Sequence, residues 1–145
     1  MTTSSPTISL KGKIAFISGA SKGIGVSIAE LFAAAGADLA LTARNEEELE
    51  RTAEAARKHG VKVWTKTAEM GDADDVKDLA DAVLEEFGRV DILVNNAGVA
   101  KHQPFFDVDI ETFHTVMNVN LLAPMLLTQA FAPGMIERKS GKIVN

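Results

Sequence analysis

The stretch Ser18-Gly19-Ala20-Ser21-Lys22-Gly23-Ile24-Gly25 lies between an apolar run, Lys13-Ile14-Ala15-Phe16-Ile17, and a segment where Ile24, Ile28, Leu31, Phe32 and Ala35 recur at helical spacing. A short β-rich run of this kind is typical of strands buried in a parallel sheet. The order is therefore strand, glycine turn, helix. A chain that turns so tightly over a ligand must visit positive φ and bring its bare backbone close to that ligand, and glycine does both. The helix N-terminus then aims unpaired N–H groups and the positive end of its dipole at the turn, where a phosphate is the natural occupant.

The rest of the chain repeats the unit. Gly36 stops the first helix and residues 37–43 form a second strand. Asn45 with Glu48 three residues later reads as a capping box, and acidic residues crowd the first turn of a helix that runs to His59 and Gly60. Residues 61–67 read as the third strand. A helix over 74–87 presents Val76, Leu79, Ala80, Val83, Leu84 and Phe87 on one face and ends at Gly88. Residues 91–94 follow as the fourth strand. Residues 107–109 lead into a long helical region with Phe113, Val116, Met117, Leu121, Met125 and Leu126 at helical spacing, in which Pro124 is expected to produce a bend. Residues 142–145 begin a fifth strand. Strands and helices alternating at these lengths imply right-handed crossovers and helices on both faces of a parallel sheet. The fold class is α/β, a doubly wound parallel sheet of Rossmann type, cut off in its fifth strand. In that order the first and fourth strands are neighbours, and the binding crevice opens between them.

The glycine spacing, Gly-x-x-x-Gly-x-Gly, is neither the Gly-x-Gly-x-x-Gly dinucleotide fingerprint nor a nucleoside triphosphate loop. Together with Asn95-Asn96-Ala97-Gly98, which closes the fourth strand, it resembles the short-chain dehydrogenase/reductase family from about Leu10 to Asn145. The resemblance implies a dinucleotide held by Ser18, Gly19, Ser21, Lys22, Gly23, Ile24 and Gly25. Asn95, Ala97 and Gly98 are implied both to stabilise the central sheet and to line the cofactor. Val119-Asn120-Leu121 matches the family's catalytic asparagine, so Asn120 is implied to position a water in a proton relay, with Asn118 only its neighbour. Glu69 stands where the family usually carries an Asp that contacts adenine, and its extra methylene puts that contact in question.

The end of the second strand selects between dinucleotides. An acid there hydrogen-bonds the ribose 2′-hydroxyl of NAD, whereas NADP needs room and positive charge. Here the position is Ala43, followed by Arg44, with Lys22 as a second cation, so NADP(H) is favoured over NAD(H).

The 145 residues make one domain: residues 1–9 read as a flexible N-terminal tail and 10–145 as the NADP(H)-binding domain, incomplete at its C-terminal end. A hydrophobic content of 46% calls for neither a membrane nor a disordered reading, and the net charge of −5 argues against a nucleic-acid partner. The absence of cysteine excludes disulfides and thiolate chemistry and suits a cytoplasmic location. The acidic runs at 46–50 and 72–75 fall at helix starts, where they favour the dipole, and the three histidines have no ligand or triad spacing. No metal site is expected.

The resemblance implies hydride transfer between the nicotinamide and a small-molecule carbonyl or alcohol, with a Tyr as acid or base, a Lys beside it and a Ser on the substrate oxygen. The chain has no Tyr, and Ser140 precedes the fifth strand. Two readings follow: the cofactor-binding half of an NADP(H)-dependent oxidoreductase, inactive alone, or a nucleotide-binding or interaction module without catalysis. A sheet ending at its fifth strand leaves an edge and an apolar face to be covered by another copy, as in a homo-oligomer, or by the rest of the polypeptide.

Overall fold

β1 (Ile14–Ser18) is buried from Ala15 onward and is flanked on both sides, pairing in parallel with β2 (Asp38–Ala43) and β4 (Ile92–Val94). β3 (Val63–Thr67) extends the sheet beyond β2 and β5 (Lys142–Val144) beyond β4, giving the order β3-β2-β1-β4-β5. The computed structural model describes residues 8–145; residues 1–7 of the expected tail lie outside the described residues.

Because side chains alternate along a strand, β1 supplies two cores. Ala15 and Ile17 meet Ala29 and Ala33 of α1 (Gly23–Ala34) and Leu49, Ala53 and Ala56 of α2 (Glu46–Arg57). Phe16 points the other way, to Val76, Leu79 and Val83 of α3 (Ala73–Phe87) and to Leu127 and Phe131 of α5 (Ala123–Glu137). The Phe16 and Phe131 rings lie 5.4 Å apart at 50°. Both faces are thus covered, as a doubly wound sheet requires.

Several boundaries differ from the sequence reading by a residue or two, and at the starts of β1 and β3 a side chain takes over a backbone group. β1 starts at Ile14, whose N–H donates to the Asp91 carboxylate at 2.8 Å. Asp91 is buried and also faces Arg89 and Arg138, while its backbone leads into β4, its N–H donating to the Ile14 carbonyl at 2.8 Å and its carbonyl accepting the Lys142 N–H at 3.0 Å. β3 starts at Val63 because the Lys62 N–H is held by the Asp38 carboxylate at 2.8 Å.

The apolar stripe assigned to α1 is also corrected. Ile24 and Leu31 are 73% and 68% exposed, while the buried positions are Gly25, Ala29 and Ala33, with Ile28 and Phe32 packed at their margin. Small residues face the sheet because the helix comes so close to the turn before it. A Cβ built on Gly25 would lie 2.2 Å from the Gly19 carbonyl oxygen.

The long helical region is α4 (Ile110–Met117), a π-helical turn (Asn118–Leu122) and α5 in continuous succession. Pro124 sits in the first turn of α5, where a missing N–H is tolerated. The irregularity expected at Pro124 thus falls just before it, in a wider turn where the Ala123 N–H bonds back to the Asn118 carbonyl.

Candidate functional site

Each motif ends a strand, and the two strands are neighbours, so the loops meet. The Ser18 hydroxyl accepts the N–H groups of Asn96 and Ala97 at 3.1 and 3.0 Å. The Asn96 side-chain amide donates in return to the carbonyls of Ser18 and Gly19, both at 3.1 Å. Gly19 has φ +67, and a Cβ there would lie 2.9 Å from the Ala97 Cα. Both the conformation and the contact demand glycine.

In front of this joint lies a crevice of about 1040 Å³, ample for a dinucleotide-sized ligand. Of the residues assigned from sequence, Gly19, Ser21, Lys22, Ile24, Arg44, Glu69, Ala97 and Gly98 line it. Ser18 and Gly25 sit behind the surface, where they fix the turn. Gly23, at φ +56, has open space around its Cα and opens α1.

Asn95 and Asn120 lie in an adjoining hollow that shares Ala97, Gly98 and Val99 with the crevice. Asn95 is tied to β5: its N–H donates to the Val144 carbonyl at 2.8 Å and its side chain to Asn145 at 2.7 Å. The Asn120 side-chain amide pairs with one residue in both directions, accepting the Val99 N–H at 2.9 Å and donating to the Val99 carbonyl at 2.8 Å. The backbone carbonyl of Asn120 has a proline, which has no N–H, at the i+4 position that would donate to it in a regular α-helix.

Glu69 is engaged locally, its carboxylate accepting the Gly71 N–H at 3.2 Å and its own N–H donating to Asp75 at 2.5 Å. The acidic runs act as caps. Asp72 accepts from Asp74 and Asp75, and Asn45 accepts the Glu48 N–H at 3.0 Å. The Glu48 carboxylate pairs with Lys22 at 3.0 Å. At the start of α4, hydrogen bonds from Thr112, the backbone N–H first, hold the Asp109 carboxyl below the usual carboxylate range.

The family profile described as short chain dehydrogenase matches residues 13–145. The chain belongs to the short-chain dehydrogenase family. Among curated relatives, a short chain dehydrogenase of Pseudocercospora fijiensis is 40% identical, over 94% of this chain and 45% of its own length. A D-threitol dehydrogenase of Mycolicibacterium smegmatis is 39% identical, over 94% and 52%. The chain spans about half the length of the curated relatives it matches. Among solved structures, a metagenomic short-chain oxidoreductase in complex with NADP superposes with a TM-score of 0.88 at 37% identity, covering 94% of this chain and 61% of that one. L-sorbose reductase from Gluconobacter frateurii, complexed with NADPH and L-sorbose, gives 0.89 at 33%, covering 94% and 52%. An NAD+-bound xylitol dehydrogenase gives 0.85 at 30%, covering 93% and 52%.

One wall of the short-chain dehydrogenase crevice escaped the sequence reading. Ile110, Glu111, His114, Thr115 and Asn118 line it from one side of α4 and its π-turn. Their spacing of three to four residues was available as a signal, but the neighbouring apolar stripe masked it.

Proposed function

We propose that this chain forms the cofactor-binding part of an oxidoreductase that transfers hydride between NADP(H), in preference to NAD(H), and a ketone or alcohol. The observation that carries the cofactor reading is that β2 ends in Ala43 rather than an acid, with Arg44 following it on the crevice wall. No Asp or Glu lies within ion-pair distance of Arg44 among the described residues. The turn fits a pyrophosphate, since Gly19 and Gly25 leave no room for side chains and α1 begins at Gly23, between them. NADP and NADPH in the metagenomic and sorbose reductase structures support this choice, and the NAD+-bound relative sets its limit.

When bound, NADP(H) supplies or accepts the hydride. The chain's own residues would grip the phosphates (Gly19, Ser21, Ile24), attract the 2′-phosphate (Arg44, Lys22) and line the cofactor's length (Ala97, Gly98). Asn120 would hold the loop at Val99 with its side chain and offer its backbone carbonyl, which has Pro124 at its i+4 position, to an ordered water. Sorbose and threitol in the relatives point to small polyols and their ketones as the substrate class. Without a Tyr the 145 residues contain no proton donor of the family's kind, and general acid catalysis typically supplies about a hundred- to ten-thousandfold, so the chain alone is expected to be inactive. The same absence supports the second reading, a nucleotide-binding module without catalysis.

A homo-oligomer is supported by the exposed stripe Ile110, Phe113, Met117, Leu121 and Met125, and a cytoplasmic location by the lack of cysteine. The region 110–137 is long and apolar enough to cross a membrane by length and composition alone, but Leu127, Phe131 and Met135 spend its C-terminal half in the sheet's core. The test is fluorescence titration with NADPH and NADH, before and after exchanging Ala43 for Asp and Arg44 for Ser. Loss of roughly tenfold or more in NADPH affinity is expected. Equal NADPH affinity before and after would refute the reading.

A further inference from the structure

The two cations on the crevice wall are not equivalent. No carboxylate lies within ion-pair distance of Arg44 among the described residues, whereas Lys22 Nζ lies 3.0 Å from Glu48 Oε1. Of that pair the carboxylate is the more enclosed, at 27% side-chain exposure against 76% for the lysine. Its backbone is also fixed, because the Glu48 N–H is capped by the Asn45 side chain at 3.0 Å. In a reciprocal capping box the Glu48 carboxylate would turn back to the Asn45 N–H. Here it reaches across to Lys22, the residue before α1. An acid one turn into α2 therefore governs the charge available where β2 ends.

We propose that Glu48 sets the dinucleotide preference of this site by neutralising Lys22 and thereby restraining selection for a 2′-phosphate. The inference rests on the reading that the crevice takes a nicotinamide dinucleotide with its 2′ position toward Arg44. With Glu48 ionised, the Lys22–Glu48 pair contributes no net charge, and of the two cations Arg44 is the one without a carboxylate partner among the described residues. An incoming phosphate, which carries nearly two negative charges, must either draw Lys22 away from Glu48 or share it. A 2′-hydroxyl makes no such demand. Glu48 thus leaves NAD(H) binding as it is and weakens NADP(H) binding. Of the neighbouring acids, Glu47 pairs with Arg51 and Glu50 with Arg57, and only Glu48 reaches Lys22 among the described residues.

The test is to titrate the chain with NADPH and with NADH, as wild type and as Glu48→Gln, Glu48→Ser and Arg44→Ala. Glu48→Gln keeps the size of the side chain and the backbone cap, and Glu48→Ser removes the charge by another route. Both are expected to tighten NADPH roughly two- to fivefold, the range for a partly exposed charge. NADH affinity should stay constant, which also shows that the variants are folded. The gain should shrink at about 1 M salt, where the Debye length is about 3 Å. Unchanged or weaker NADPH binding in both Glu48 variants, with Arg44→Ala still weakening NADPH selectively, overturns the role of Glu48 alone. If Arg44→Ala leaves NADPH affinity unaltered, the 2′-phosphate reading and the role of Glu48 fall together.

Discussion

Ser18 and Asn96 each complete the other's hydrogen bonding: the Ser18 hydroxyl accepts the Asn96 N–H at 3.1 Å while the Asn96 amide donates to the Ser18 carbonyl at 3.1 Å. Neither loop has its shape without the other. Replacing Asn96 with Ala strands the carbonyls of Ser18 and Gly19 in a partly buried joint, and an unsatisfied buried acceptor costs about 1 to 3 kcal/mol. We expect a loss of that size in urea-unfolding stability, together with weaker NADPH binding. Unchanged stability would show that water replaces the amide without loss.

The glycines of the turn should differ sharply. A methyl on Gly25 would sit 2.2 Å from the Gly19 oxygen, which is backbone and cannot swing away. Overpacking of this kind costs typically about 1 to 3 kcal/mol and would also push the turn toward the ligand. Gly23 has nothing within 4 Å, and only its φ of +56 opposes a side chain. Gly23→Ala should therefore lose about 1 to 2 kcal/mol from backbone strain alone. Chemical denaturation measures the stability term, and NADPH titration should show that Gly25→Ala loses affinity out of proportion to it.

Glu50 gives a pH signature. Its carboxyl is held below the ordinary 4.5 by its hydrogen bond to Arg57, whose charge adds to the effect, and by Thr65. A depressed carboxylate contributes stability that is present above its unfolded value and is lost as pH falls through the folded one. Since the side chain is 43% exposed, screening keeps the contribution below about 1 kcal/mol. Glu50→Gln should lower Tm slightly at pH 7 and flatten its decline below pH ~4.5. An unaltered slope in acid would show that the link between α2 and β3 carries no such energy.

The features read well from sequence were those set by local chemistry. The glycine turn, the cap at Asn45, the acidic helix start at 72–75 and the stop at Gly88 each depend on residues close in the chain. What was misread depends on approach between elements. Ile24 and Leu31 look like core by periodicity, yet Gly25, Ala29 and Ala33 face the sheet because α1 packs against a turn that admits nothing larger. Glu48 matches a capping box, but the partner of its carboxylate comes from another loop. Pro124 announces an irregular helix without saying which turn widens. The three-to-four-residue spacing of Glu111, His114, Thr115 and Asn118 marks one face of α4, but that this face meets the crevice depends on how the helix lies in the fold.

Asn120 offers a test separate from cofactor binding. Its amide accepts the Val99 N–H and donates to the Val99 carbonyl, so one side chain anchors the start of the loop that leads to Phe105. Asn120→Ala removes both bonds, and the Val99 amide should then exchange with solvent at least about tenfold faster, matching a net loss near 1.4 kcal/mol for two hydrogen bonds. Asn120→Asp separates them. An ionised carboxylate still accepts from the Val99 N–H but has no hydrogen to give the carbonyl, which faces it as a second acceptor. At neutral pH this variant should therefore lie between wild type and Ala in protection at Val99, since only the bond to the carbonyl is lost. On acidification below its own pKa the protonated Asp regains a donor, and protection at Val99 should recover relative to the Ala variant. Hydrogen exchange followed by mass spectrometry at several pH values, corrected for the intrinsic pH dependence of exchange, reads both effects. Equal protection at Val99 in wild type and Asn120→Ala would show that the π-turn and the glycine joint hold this loop without the asparagine.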